Sequence, residues 1–98
     1  MAIKSKRILN PWINGEQREC VLTFSDNNTC SVIFDGYENI SIWLKDGYWH
    51  VEYYFMSVRA YSATIIAYAE ELSMEHVLTL IRMTYEMANY GEVKFEYD

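Results

Sequence analysis

The sequence predicts an α+β domain: an antiparallel meander sheet of about five strands plus a C-terminal strand, with two α-helices packed on one face. Residues 20–55 alternate apolar and polar side chains in four consecutive segments, the period becomes helical after Ser57, and alternation returns at Glu92. Strands followed by helices in this order are typical of α+β folds. With 98 residues, the chain is expected to form a single domain over 1–98.

Residues 3–13 are predicted to form the first strand, at an edge of the sheet. Two lysines and an arginine interrupt its apolar alternation, and Pro11 lacks a backbone donor. An edge strand tolerates both features, and they discourage pairing with another chain. The Asn14-Gly15 dipeptide then supplies a turn into the second strand.

The next four strands share one apolar face. Its members are Cys20, Leu22, Phe24, Cys30, Val32, Phe34, Ile40, Ile42, Leu44, Trp49, Val51, Tyr53 and Phe55. A slip of one residue would turn this whole set towards solvent, so the pattern specifies which side of the sheet is buried.

The turns between these strands predict how the strands pair. A two-residue turn at Asp46-Gly47 places Leu44 opposite Trp49. A five-residue loop at 35–39 would place Phe34 opposite Ile40, and a similar loop spans 25–29. The other predicted pairs are Ile42–Val51, Ile40–Tyr53, Val32–Ile42, Phe24–Cys30, Leu22–Val32 and Cys20–Phe34.

A first helix is predicted from residue 57 to about Leu72. Its apolar residues at helical spacing are Val58, Tyr61, Ile65, Tyr68 and Leu72. Four alanines in the same stretch favour a helix, whereas the run Thr64-Ile65-Ile66 leaves a strand as the alternative.

A second helix is predicted over 74–89. Ser73 is a favourable N-cap, and Gly91 fits a helix stop. Residues 92–98 alternate again and predict a last strand, which could pair with the first strand or the fifth.

Charge is distributed unevenly along the chain. Residues 1–45 carry five acidic and five basic side chains, whereas 46–98 carry nine acidic and three basic, so the whole net charge of −6 arises in the second half. This excess disfavours direct nucleic-acid binding, because phosphates need a basic surface. It favours a basic protein partner, or the imitation of a polyanion.

No motif for catalysis, a cofactor or a metal is recognised. The four glycines are isolated, and the two cysteines and two histidines lack zinc-site spacing. Cys20 and Cys30 lie roughly 13 Å apart along the predicted strands, beyond the reach of a disulfide, so free buried thiols are expected. His50, with Glu52 as an orienting acid, is the candidate general base, and a plain surface histidine is the alternative. His76 is expected to be exposed.

The predicted binding surface has two parts. The first is the sheet face opposite the apolar stripe, where a single-layer sheet normally carries polar residues but this one carries interface-type side chains. Its proposed binding residues are Ile33, Trp43, Tyr48 and Tyr54. The second part consists of acidic groups in the second half of the chain: Glu70, Glu71, Glu75, Glu92, Glu96 and Asp98.

These features predict a small acidic, non-enzymatic cytoplasmic protein that inhibits a basic or nucleic-acid-handling protein, as phage or mobile-element inhibitors do by mimicking nucleic acid with carboxylates. A self-associating adaptor that dimerises through the Trp43 face is one alternative. A small ligand-binding protein or enzyme around His50 is another. No membrane contact is expected, because the apolar runs are far shorter than a bilayer span.

Overall fold

The computed structural model describes residues 5–35, 37–88 and 91–95. The elements found there are β1 (Ser5–Leu9), β2 (Trp12–Ile13), β3 (Glu16–Gln17), β4 (Cys20–Asp26), β5 (Thr29–Asp35), β6 (Glu38–Lys45), β7 (Tyr48–Phe55), β8 (Val58–Ile66), α1 (Met74–Met87) and β9 (Val93–Lys94). Six strands form one antiparallel sheet in the order β1-β4-β5-β6-β7-β8, and a small sheet has the order β3-β2-β9. The α+β class is confirmed.

The inner face of the large sheet, which α1 covers, is the apolar face that the alternation predicts. Leu22, Val32, Ile40 and Ile42 are completely buried there. From α1, Tyr85 packs edge-on against the rings of Phe34 and Tyr53, with ring centroids 5.6 and 5.7 Å apart respectively. Full burial of a leucine, valine or isoleucine side chain stabilises the fold by about 1.5–3 kcal/mol. Phe55 departs from the prediction, because half of its surface is exposed.

The predicted register is confirmed for two of the three predicted hairpins. Leu44 pairs with Trp49, Ile42 with Val51 and Ile40 with Tyr53; Phe24 pairs with Cys30 and Leu22 with Val32. The register between β5 and β6 is wrong by two residues, since Val32 pairs with Ile40 and Cys30 with Ile42. The strands continue to Asp35 and from Glu38, so the loop is shorter than five residues. A shift of two keeps every side chain on its predicted face.

The helix predicted over 57–72 is wrong, and the strand alternative is correct. Residues 58–66 form β8, which pairs with β7 from Val58 to Ile66, with a bulge at Ala60. Two members of the supposed helical stripe, Val58 and Tyr68, are 65% and 95% exposed. The turn before β8 lacks the residues that usually indicate a hairpin. Met56 and Ser57 both have positive φ, at 52° and 64°, as a type I′ turn requires, without the usual glycine.

The second predicted helix is confirmed as α1, which is shorter than predicted by two residues. Ser73 is its N-cap, and the Ser73 hydroxyl accepts a bond from the backbone N–H of His76 at 3.3 Å. The His76 ring accepts in return from the Ser73 backbone and lies 4.8 Å from the ring of Trp49. His76 is therefore half-buried, which corrects the expectation that it is exposed.

The predicted strand over 3–13 is interrupted. β1 pairs with β4 at the sheet edge, as expected, but Pro11 ends it, and β2 then pairs with both β3 and β9. The last strand therefore pairs with a part of the predicted first strand, over 93–94 alone among the described residues. Gly91 also has a different role from a helix stop: its φ is +133°, and a Cβ there would clash with the side chain of Asn14. The Asn14 side chain accepts a bond from the backbone N–H of Glu92 at 3.0 Å.

Cys20 and Cys30 are free and buried, as predicted. Burial raises the pKa of each thiol from the ordinary 9.0 to about 12. Within the described parts of the chain, no helix is long and apolar enough to span a membrane.

Candidate functional site

The outer face of the large sheet, which points away from α1, carries the predicted aromatic residues. The pairing aligns Thr29, Trp43, His50 and Thr64 in one row across β5 to β8. Trp43 and His50 stack nearly parallel, with centroids 5.2 Å apart and an interplanar angle of 7°. The next row, towards the β6–β7 turn, contains Lys45, Tyr48 and Ile66. We call these two rows the aromatic end of the outer face.

The opposite end of the outer face contains the other two predicted residues, Ile33 and Tyr54. They occupy one row with Asn39 between them. Ile33 is 45% exposed, and Ile8 and Val21 extend its apolar patch across β4 and β1. The structure thus brings Trp43 and Tyr48 together, and it separates them from Ile33 and Tyr54.

Glu52 is held by its neighbours on the outer face. Tyr54 donates its hydroxyl to one carboxylate oxygen and Arg59 donates to the other, both at 2.9 Å. The Arg59 bond, and then the Tyr54 bond, lower the pKa of Glu52, while the same carboxylate raises the pKa of Tyr54. Both oxygens of Glu52 are therefore engaged by these partners, and the proposed role of Glu52 in orienting His50 gains no support.

Five exposed carboxylates lie at one end of the molecule, and we call this region the acidic end. Its members are Asp26, Asp46, Glu70, Glu71 and Glu75. Asp26 precedes the β4–β5 turn and Asp46 lies in the β6–β7 turn, both at the same end of the sheet. The chain after β8 crosses this end, because Ala67 N–H bonds to the carbonyl of Gly47 and Leu72 N–H to that of Asn27, each at 2.8 Å. This crossing brings three segments that are distant in sequence to the same region.

The acidic end and the aromatic end adjoin. Trp43 and Tyr48 lie within three residues of Asp46, on the two strands that its turn connects. Lys45 is exposed at the border and moderates the negative charge there. The two ends therefore meet at the β6–β7 turn, where Asp46 lies between Trp43 and Tyr48 along the chain.

The acidic residues of the last strand do not join this surface. Glu92 lies at the other end of the molecule, beside Asn14, and its carboxylate is 3.3 Å from the ammonium of Lys94. The predictions for Glu96 and Asp98 concern residues outside the described part of the chain.

A buried polar cluster that the sequence reading missed lies at the end opposite the acidic end. Glu38 is 6% exposed, and its carboxylate pairs with the Arg18 guanidinium at 2.6 Å. It also accepts the hydroxyl of Tyr53. Arg18 covers the ring of Phe34 at 5.2 Å. Burial first, and then the charge of Glu38, raise the pKa of Tyr85 beside them.

The Glu38 cluster lines a cleft of about 360 Å³. The Glu38 cluster connects β6, β7 and α1 to the segment before β4, so its contacts fasten this end of the sheet to the helix. A signal for it was present in the sequence. Glu38 has the same parity as Ile40 and Ile42, which places a carboxylate within the apolar stripe.

The described residues contain no group of three or more histidine, cysteine, aspartate or glutamate side chains that could hold a metal ion. Comparisons with models of known protein families, with curated proteins and with solved structures find no match to this chain. Function is therefore inferred from the surface itself.

Proposed function

We propose that this protein is a non-enzymatic binding protein that blocks a basic, nucleic-acid-handling protein. The observation that carries the proposal is the junction of the aromatic end with the acidic end. Trp43 and Tyr48 flank the turn at Asp46, at the end of the sheet where three separate segments of the chain contribute carboxylates.

The two halves of this surface suit different parts of an interface. Large aromatic side chains supply most of the binding free energy in protein interfaces, because they remove much apolar area from water with little loss of conformational freedom. Tyr48 is 43% exposed and available for such a contact, and Trp43 is half-buried in its stack with His50. Carboxylates around such rings select a partner of opposite charge and accelerate its approach.

A basic surface is the partner chemistry that this arrangement fits. The chain has a net charge of −6, and all five carboxylates of the acidic end are exposed. A protein that handles nucleic acid offers lysine and arginine where phosphates bind. Carboxylates at these positions would occupy that surface and exclude the nucleic acid, which makes inhibition the expected consequence of binding.

The enzyme alternative around His50 has less support. The ring of His50 lies flat against Trp43, and the nearby Glu52 is bound by Tyr54 and Arg59. A general base needs an acid or carbonyl that orients it, and Glu52 is committed to other partners.

Capture from a lysate of the organism that carries this chain tests the proposal. The immobilised protein is compared with Trp43→Ala and with the triple charge reversal Glu70→Lys/Glu71→Lys/Glu75→Lys. The matched control reverses Glu16, Glu86 and Glu92, which are exposed elsewhere, and changes the net charge equally. We expect a basic protein to bind the wild type and the control, and to bind each test variant at least about tenfold more weakly.

Two further features of the captured protein are expected. High salt should weaken its binding, because the charges at a solvent-exposed interface are screened. Double-stranded DNA or RNA should displace it. Capture of a neutral or acidic protein, equal weakening by the control reversal, or insensitivity to nucleic acid would contradict the proposal.

A further inference from the structure

One edge of the large sheet lacks a neighbour among the described residues. β8 pairs with β7 on one side, and no described strand pairs with its other side. Its residues alternate between exposed and half-buried from Tyr61 to Ile66, and 58–60 are all exposed. Such an edge presents a row of backbone donors and acceptors that a further strand can satisfy.

The composition of β8 does not protect this edge. Arg59 is the charged residue of the strand, and it is paired with Glu52 at 2.9 Å. Residues 60–66 are uncharged and contain no proline. Val58, Ile66 and the following Tyr68 are 65%, 57% and 95% exposed, respectively. Natural sheets usually guard a free edge with lysine, proline, a β-bulge or a short strand. β8 has a bulge at Ala60, whereas residues 61–66 have none of these devices, which favours strand addition there.

The other edge of the sheet shows what such protection looks like. β1 has five residues, of which Lys6 and Arg7 are charged and exposed, and Pro11 follows closely. The same sheet therefore has one edge that repels strand addition and one that permits it.

We propose that β8 pairs with β8 of a second copy, antiparallel and centred on Ala63. In this register Tyr61 lies opposite Ile65 of the second copy, and Ala63 lies opposite its own equivalent, all on the inner face. Ser62 lies opposite Thr64 on the outer face. Apolar side chains meet apolar ones and hydroxyls meet hydroxyls, without a like-charge pair, which is the condition for a favourable antiparallel register.

A second copy fits this edge better than an unrelated strand, because the central sequence is complementary to itself. Around Ala63, the inward positions read tyrosine, alanine and isoleucine, which places a large ring against an aliphatic chain twice in each dimer. Tyr61 and Ile65 are only half-buried in the single chain. Pairing would cover their remaining surface and would satisfy the free backbone groups.

The proposed dimer goes beyond the binding function and does not depend on it. A two-fold axis perpendicular to the sheet joins two six-stranded sheets into one of twelve strands. Both helices then lie on one side, and both outer faces, each with its aromatic end, lie on the other. A bivalent binding protein results, with the Trp43 surface left open in each copy.

Crosslinking tests the register directly. Opposed residues in an antiparallel pair have Cα atoms about 4.5–5.5 Å apart, within the range of a disulfide. We expect the Ala63→Cys variant to form a covalent dimer in oxidised glutathione. The native thiols will not compete, because burial raises their pKa to about 12. Lys6→Cys, on the opposite edge, is the matched control and should remain monomeric.

Sedimentation equilibrium supplies a second, non-covalent test. The wild type should dimerise at about 100 μM or below. The Ser62→Lys/Thr64→Lys variant, which opposes lysines twice, should weaken the dimer at least about tenfold, and mixing it with Ser62→Glu/Thr64→Glu should restore association. Circular dichroism shows whether each variant is folded.

The proposal is overturned if the wild type is monomeric at that concentration, or if Ala63→Cys crosslinks no faster than Lys6→Cys. A dimer that persists in the folded lysine variant would use another surface, such as the Trp43 face, and would equally overturn it. None of these results bears on capture of a basic partner, so the two proposals fail separately.

Discussion

The inner and outer faces of the six-stranded sheet are built from alternate residues of the same strands, yet they have opposite character. On β6, Ile40 and Ile42 are completely buried beneath α1, whereas their neighbour Trp43 faces away from the helix and stacks on His50. The inner face is apolar except at one end, where the buried Glu38 lies, as expected of a folding core. The outer face divides into an aromatic end beside carboxylates and an apolar patch around Ile33. This difference is the basis of our proposal that the inner face stabilises the fold and the outer face binds a partner.

This assignment predicts that equal truncations on the two faces have unequal effects. Ile42→Ala should destabilise the protein by about 2–5 kcal/mol, because it opens a cavity in the packed inner face. Ile33→Ala removes the same atoms from a side chain that is 45% exposed, so it should cost about 1 kcal/mol or less. Urea unfolding measures both. Comparable losses would mean that the outer face is also part of a packed core.

Alkaline pH should lower the free energy of unfolding through the two thiols that are buried in the inner face. The thiols of Cys20 and Cys30 have an ordinary pKa of 9.0, which burial raises to about 12. Between these values the unfolded chain releases protons that the folded chain retains. The contribution of the neutral thiols to the free energy of unfolding is therefore complete below pH 9. It is lost as the pH rises towards 12, by up to about 1.4 kcal/mol per pH unit for each thiol.

Urea unfolding between pH 8 and 11 measures this loss, with Cys20→Ala/Cys30→Ala as the control. The stability of the control should fall less steeply above pH 9, because it lacks the two buried thiols. Parallel curves for the two proteins would contradict burial of the neutral thiols.

The inner face was largely predictable from the sequence, because burial of one face imposes a period of two. The predicted face was correct even where the predicted loop length was not, because the two-residue shift between β5 and β6 left Val32 and Ile42 on the predicted side. The β8 hairpin was not predictable in the same way. Its turn uses Met56 and Ser57 at positive φ, and small residues such as Ala63 occupy inward positions at the sheet edge. Pairing with β7 overrides a helical propensity that the alanines suggested.

The candidate site was predictable only in part. The parity of the strands placed Trp43 and Tyr48 on the outer face, and the pairing confirms that position. The position of Glu70 and Glu71 at the same end of the molecule depends on the path of the chain after β8, which no local pattern encodes. The Glu38 cluster also depends on tertiary contact, since Arg18 and Tyr85 reach it from distant segments.

Oxidative footprinting of the complex with the captured partner tests most directly whether the outer face is the binding surface. Hydroxyl radicals modify exposed aromatic side chains, and Tyr37, which is 65% exposed away from the acidic end, supplies an internal reference. The partner should protect Trp43 and Tyr48 several-fold relative to Tyr37. Unchanged oxidation of Trp43 and Tyr48, with protection elsewhere on the chain, would contradict the assignment of binding to this face.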